Sequence, residues 1–105
     1  MRVVIYTVTL SEQAKEDMLE IFRYIAYIAF ELCAVENAAA LLERIEQRIL
    51  RLSQMPERFR RYDRPPWYER GVRMMPAENY CVFYVPNRAS KTVTVLRVLY
   101  AGREY

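Results

Sequence analysis

The last three residues of the sequence have side chains that could take part in chemistry. The last eleven residues, VLRVLYAGREY (95–105), are an apolar run followed by a glycine and then Arg103, Glu104 and Tyr105. A guanidinium can stabilise developing negative charge, and a carboxyl or a phenol can transfer a proton. The sequence contains no histidine, so acid–base chemistry would depend on carboxylates, tyrosine, lysine, arginine or water. This terminal cluster is either part of a working site or exposed surface.

Composition excludes several other kinds of site. The chain has two glycines, Gly71 and Gly102, too few for a phosphate-binding glycine loop. Two cysteines without histidine argue against zinc, so we expect no metal and no cofactor. Cys33 and Cys81 are expected to be small core residues in a reducing compartment. The N-terminus lacks the features of a signal peptide and no run is long enough to span a membrane, which predicts a cytoplasmic protein without membrane contact.

Charge is divided unevenly along the chain. Residues 12–43 carry seven acids and two bases, whereas residues 44–73 carry nine arginines and four acids. Such an arginine-rich half suggests an anionic partner, either nucleic acid or an acidic protein. The alternative is that these arginines, including Arg44, Arg48 and Arg51, form a solvated helix face and a solvated loop.

The elements that must position these side chains follow from hydrophobic periodicity. A β-branched run predicts a strand over 2–10, and Ser11 is placed as the N-cap of a first helix. Two helical stripes predict an antiparallel hairpin ending near 53–57. The stripes contain Ala14, Met18, Ile21, Phe22, Ile25, Ile28, Ala29 and Leu32, then Ala38, Leu41, Leu42, Ile45, Ile49 and Leu52. Asp17, Glu20, Arg23 and Glu31 fall off the first stripe.

The second half of the chain predicts a loop and a three-stranded meander. The proline- and charge-rich stretch 58–71 is interpreted as a loop in which Trp67 packs as an anchor. Strands are predicted over 72–76, 80–86 and 92–100, the last in a central position. The length of the chain predicts a single domain over 1–105. The order of its elements predicts an α+β fold in which the helix hairpin covers one face of the sheet and the other face stays partly open. Arg97 interrupts the last strand and is expected to mark the open face, as a binding residue or in a structural ion pair.

The chain resembles the RelE/ParE superfamily of toxins from bacterial type II toxin–antitoxin modules. The matching stretches are LSEQAKEDMLEIFRYI, AALLERIEQRILRLSQMPE, GVRMMPAENYCVFYV and TVTVLRVLYAGRE, which run almost from end to end. The resemblance implies a strand, an α-hairpin and a curved antiparallel sheet. It also implies a cognate antitoxin whose C-terminal segment, commonly acidic, covers toxin arginines.

Two targets are implied by this resemblance. RelE-like members cleave mRNA in the ribosome without metal, and ParE-like members poison DNA gyrase without catalysis. Position by position, Arg73 matches the strand arginine of the RNases, and Arg103 matches the arginine after the last strand. The lysine pair of the RNases is missing before Arg73. Tyr80, Tyr84, Glu104 and Tyr105 are the remaining candidates to transfer the proton.

The incomplete RNase set favours a ParE-like inhibitor of gyrase. The alternatives are a RelE-like endoribonuclease, with Arg73 and Arg103 as phosphate stabilisers, and a non-toxic binding module of the same fold. For contact with the target or the antitoxin, the candidate residues are Arg73, Tyr80, Arg97 and Arg103.

Overall fold

The computed structural model describes residues 4–33 and 35–102, and it has the α+β architecture that the sequence predicts. The elements are β1 (Thr7–Leu10), α1 (Glu12–Leu32), α2 (Val35–Leu50), β2 (Arg73–Ala77), β3 (Tyr80–Asn87) and β4 (Thr92–Tyr100). Two short 3₁₀ turns, Arg51–Ser53 and Pro56–Arg58, follow α2.

The four strands form one sheet in the order β1-β4-β3-β2. β1 pairs with β4 in parallel, and the other three strands form an antiparallel meander. β4 is therefore central along its first half, as predicted. The pairing of β4 with β3 shifts by one residue between Phe83 and Tyr84, which leaves Leu96 as an extra residue in β4 next to Arg97.

The first strand is shorter than the predicted span of 2–10. Regular pairing begins only at Thr7, because the chain before it is held by the segment that follows α2. The Tyr6 amide donates to the Ser53 carbonyl at 2.7 Å, and Ile5 forms an isolated antiparallel bridge with Gln54. Local β propensity could not reveal this change of partner.

Helix α1 begins where the sequence predicts. The Ser11 Oγ accepts a hydrogen bond from the Ala14 amide at 3.0 Å, which satisfies one of the unpaired donors of the first turn. The same hydroxyl donates to the Leu96 carbonyl at 3.0 Å. The N-cap thus joins the start of α1 to the edge of β4 beyond the point where β1 ends.

The main core lies between the helix hairpin and one face of the sheet. The predicted stripe residues Ile21, Ile25, Ile45, Ile49 and Leu52 are buried there. Two assignments for α1 are wrong: Phe22 is 52% exposed, and Asp17 is buried at 5% exposure. Phe22 is turned about 100° from Ile21, outside a stripe that is narrower than predicted.

A second, smaller cluster lies on the opposite face of the sheet. Phe83 and Val72 form its buried centre, and Tyr62 and Trp67 pack against it from the segment before β2. This segment therefore covers part of the face that was expected to be open. Cys81 is buried in the cluster, whereas Cys33 is exposed, contrary to prediction, and both cysteines are free thiols.

Candidate functional site

An open groove of about 940 Å³ lies beside β2. Its charged lining is Arg60, Arg61, Arg64, Arg73 and Asp63, and its remaining walls are Phe59, Tyr62, Tyr68, Met74 and Pro76. We call this surface the arginine groove. The described lining has four guanidinium groups and one carboxylate, so the groove has a net positive charge and attracts anions.

Backbone pairing positions the arginines of the groove. Segment 60–62 runs antiparallel to the start of β2, through an isolated bridge between Arg61 and Arg73. The Tyr62 amide donates to the Val72 carbonyl at 2.8 Å, and the Met74 amide donates to the Arg60 carbonyl at 3.3 Å. The Arg61 guanidinium lies over the Tyr68 ring, 5.5 Å from its centre. Part of the predicted loop therefore pairs with β2 as a short, irregular fifth strand at the edge of the sheet.

Arg73 braces the wall of the groove. Its Nη1 donates to the carbonyls of Phe59 and Glu57, at 2.5 and 3.1 Å, so it fixes the turn at Pro56–Arg58 against β2. A guanidinium has five N–H donors, so this bracing leaves other donors for a ligand. Arg88 hydrogen-bonds the Glu57 carboxylate from the other side, and this bond, together with the charge of Arg73, lowers the pKa of Glu57.

Tyr84 lies opposite Arg73 in the sheet but is closed off from the groove. Its side chain is fully buried, and its hydroxyl donates to the Pro56 carbonyl at 2.6 Å. Burial raises the pKa of the Tyr84 phenol to about 12. The hydroxyl is therefore inaccessible and already engaged as a donor, an arrangement that does not favour the predicted role of Tyr84 in proton transfer.

We expect Tyr84→Phe to lower the stability of the fold. The change leaves the Pro56 carbonyl, a buried acceptor, without its hydrogen-bond donor, which costs about 1–3 kcal/mol. Urea unfolding measures the loss. Unchanged stability of the variant would show that this hydrogen bond does not hold the Pro56–Arg58 turn in place.

Tyr80 lies away from the arginine groove, on the helix side of the sheet. It is 7% exposed, and its ring packs edge-to-face on Tyr100 with centroids 5.8 Å apart. Burial, followed by the proximity of Tyr24 and Tyr100, raises the pKa of its phenol. The structure therefore does not bring Tyr80 and Arg73 together in one site.

Arg97 forms an ion pair with Asp17 of α1 and does not line the groove. Its Nε and Nη2 donate to the two Asp17 carboxylate oxygens at 2.8 and 3.1 Å. The Val98 amide donates to Asp17 Oδ2 at 2.9 Å. Asp17 therefore takes the place of a neighbouring strand at the edge of β4 where β1 has ended. Of the two roles that the sequence leaves open for Arg97, the structure shows the ion pair. The feature of the sequence that indicates it is a charged residue within an apolar strand.

The remaining candidates, Arg103, Glu104 and Tyr105, lie outside the described residues. Within 4–33 and 35–102, no group of three potential metal ligands comes together. In the same part of the chain, neither helix has the length and hydropathy that a bilayer crossing requires.

Comparisons with known proteins identify a family and several solved structures of similar fold. A family model described as the ParE toxin of the type II toxin–antitoxin system parDE matches residues 8–105. The structure of a chromosomal ParDE system from P. aeruginosa is similar with a TM-score of 0.69 and 19% identity, over 91% of this chain and 96% of that chain. The RelBE2 toxin–antitoxin complex from Mycobacterium tuberculosis is similar with a TM-score of 0.61 and 23% identity, over 92% and 99% of the two chains. No curated protein matches by sequence.

Proposed function

We propose, since this chain belongs to the ParE toxin family of type II toxin–antitoxin systems, that it arrests growth by binding DNA gyrase. The family match is the observation that carries the proposal, because it extends over nearly the whole chain. In this proposal the chain acts by protein–protein contact and catalyses no reaction.

The chemistry of the arginine groove supports a contact mechanism over RNA cleavage. Cleavage by a 2′-hydroxyl needs a group that takes a proton beside cations that stabilise the phosphorane. The groove supplies the cations, but Arg73 is braced on two carbonyls and the neighbouring tyrosine, Tyr84, is buried. Histidine is absent from the sequence, and no lysine precedes Arg73 in the stretch WYERGV.

We further propose that a cognate antitoxin neutralises the chain through an acidic segment bound in the arginine groove. The groove has the charge and the open shape to receive such a segment, because Arg60, Arg61, Arg64 and Arg73 all line it. Both similar structures come from toxin–antitoxin systems. Arg103 remains a further candidate for this contact.

A second candidate function is ribosome-dependent mRNA cleavage. The observation that favours it is the alternation of arginines with Phe59, Tyr62 and Tyr68 in the groove, since aromatic rings and cations together bind single-stranded nucleic acid. In this alternative Arg73 and Arg103 stabilise the phosphate, and Glu104 or Tyr105 transfers the proton.

Induction of the chain in the absence of antitoxin separates the two functions. The gyrase proposal predicts growth arrest, a DNA-damage response and intact mRNA. Primer extension on a reporter mRNA is the decisive readout: cuts at defined codon positions would replace the gyrase proposal with the RNase. A lack of growth arrest would leave only a non-toxic binding module. Co-expression of the neighbouring antitoxin gene is the control and should restore growth.

A further inference from the structure

A second concavity lies between α1 and the end of β4, and its described lining shares no residue with that of the arginine groove. It measures about 360 Å³ and is lined by Asp17, Glu20, Ile21 and Tyr24 of α1, Tyr80 of β3 and Tyr100 of β4, among others. We call it the tyrosine cleft. Among the described residues its lining includes two acids, Asp17 and Glu20, and no arginine or lysine, in contrast to the arginine groove.

Three aromatic rings form the walls of the tyrosine cleft. The Tyr80 ring is almost fully buried, and its edge-to-face contact with Tyr100 fixes the orientation of both rings. Tyr24 faces them from α1 and is 57% exposed, so it lies at the mouth of the cleft. The faces of aromatic rings carry negative potential, which favours a cation placed between them.

Glu20 supplies a second negative charge to the cleft and lies near enough to Arg97 to help Asp17 raise the pKa of that guanidinium. The charge of Asp17, also in the lining, is taken up by Arg97 and by the Val98 amide. Glu20 lies one helical turn further along α1 and is exposed. Among the residues that the structure describes, no cation forms an ion pair with it. The described lining therefore has one carboxylate, Glu20, in addition to the Asp17–Arg97 pair, and this carboxylate lies beside three tyrosine rings.

We propose that the tyrosine cleft binds a cationic side chain, an arginine or a lysine, that a protein partner presents. A cation is the one occupant that the carboxylate and the rings both favour: an anion would be repelled by Glu20, and an apolar group would gain nothing from its charge. Arginine can in addition stack on a ring and donate two parallel hydrogen bonds to Glu20. A side chain of the partner could enter the cleft at Tyr24, which is exposed to solvent, and would end against Tyr80, which is buried.

Titration of the purified chain with single amino-acid probes tests this site. The probes are the Nα-acetyl methylamides of arginine and of lysine, with that of citrulline as the neutral isostere of arginine. The readout is the NMR spectrum of the chain labelled in its tyrosine rings. Saturable shifts of Tyr24, Tyr80 and Tyr100 with the cationic probes, and weaker shifts with citrulline, are expected. The order of the two cationic probes shows whether the site favours arginine or lysine.

Two exposed substitutions complete the test without disturbing the core. Glu20→Gln is expected to weaken binding of the arginine probe about two- to fivefold, and Tyr24→Leu by a similar factor. Glu16→Gln changes the charge of α1 equally but lies outside the cleft lining, and it should leave binding unchanged. Equal shifts with citrulline, or an affinity that Glu20→Gln does not alter, would overturn the proposal. The assay contains no gyrase, so its result is independent of the proposed target.

Discussion

Replacing Asp17 with alanine is expected to lower the free energy of unfolding by about 3 kcal/mol. The carboxylate is 5% exposed and accepts hydrogen bonds from Arg97 and from the Val98 amide. Alanine leaves the Arg97 charge and a buried amide without partners. The loss lies at the low end for a broken buried pair because the Arg97 side chain keeps 35% of its exposure and can reach water. In a domain of this size, the melting temperature should fall by about 12–24 °C.

The matched control for Asp17 is Glu16→Ala, an exposed acid on the same helix. It removes the same charge and should change stability by less than about 0.5 kcal/mol. A double variant, Asp17→Ala with Arg97→Ala, should lose less than the sum of the single changes, because no orphan charge remains. If Asp17→Ala were as stable as Glu16→Ala, the ion pair would have no structural role.

The same carboxylate should make stability depend on acid pH. Burial raises the pKa of Asp17, but the hydrogen bonds and charge of Arg97 and the Val98 amide outweigh burial and lower it overall. The folded form therefore binds the proton less readily than the unfolded chain, whose aspartate pKa is about 3.9. The contribution of Asp17 is complete above that value and is lost as the pH falls through the folded pKa. Asp17→Asn should therefore show a shallower loss of stability below about pH 4 than the parent chain.

Replacing Arg73 with alanine is expected to abolish growth arrest. The guanidinium lies in the arginine groove, and its Nη1 also holds the carbonyls of Glu57 and Phe59. The change removes a cation from the groove and releases the turn that forms its wall. Hydrogen bonds to charged groups contribute about 1.5–3 kcal/mol each. The two bonds together amount to about 3–6 kcal/mol, below the middle of the range of about 5–15 kcal/mol for a domain, so we expect the variant to be less stable but still folded.

Two further variants separate the charge of Arg73 from its bracing role. Arg73→Lys keeps the charge but cannot reproduce the fork of donors, so partial growth arrest is expected. Arg48→Ala removes an equal charge from the exposed face of α2 and should arrest growth fully. Viable counts after induction, at matched expression and with folding checked by circular dichroism, measure the effect. Full growth arrest by Arg73→Ala would show that the residue does not belong to the surface that contacts the target.

The sequence predicts the elements whose signal is local. The stripes of Ile21, Ile25, Ile45 and Ile49 and the N-cap at Ser11 depend on spacing within a few residues, and the structure confirms them. The central position of β4 is also predicted, because a strand whose side chains are apolar on both faces must be covered on both sides.

The features that the sequence does not predict depend on partners distant along the chain. Asp17 falls outside the apolar stripe by composition, yet it is buried because β4, eighty residues later, supplies Arg97 and an unpaired amide edge. The segment around Arg61 reads as a loop, yet it pairs with β2 because the chain folds back on its own strand. The burial of Tyr84 likewise depends on the Pro56 carbonyl. Periodicity carries no information on such pairings.

The candidate site was predicted in part. Arg73 was selected by family resemblance, and the structure places it in a groove with three other arginines, a cluster that the charge division of the sequence anticipates. The resemblance could not show that Tyr80 lies in a different cleft or that Arg97 is committed to Asp17. These are questions of side-chain direction, and the shift in strand register at Phe83 and Tyr84 changes that direction locally.

The most direct test of a contact mechanism is the dose dependence of gyrase inhibition by the purified chain. A supercoiling assay is titrated with the chain at fixed gyrase, and the same preparation is added to ribosomes carrying a defined mRNA. We predict that supercoiling falls in proportion to the molar ratio of chain to gyrase, that Arg73→Ala removes the inhibition, and that the mRNA stays intact. Undiminished supercoiling together with cleavage of the ribosome-bound mRNA at a small molar fraction of the chain would contradict the proposal and identify an enzyme.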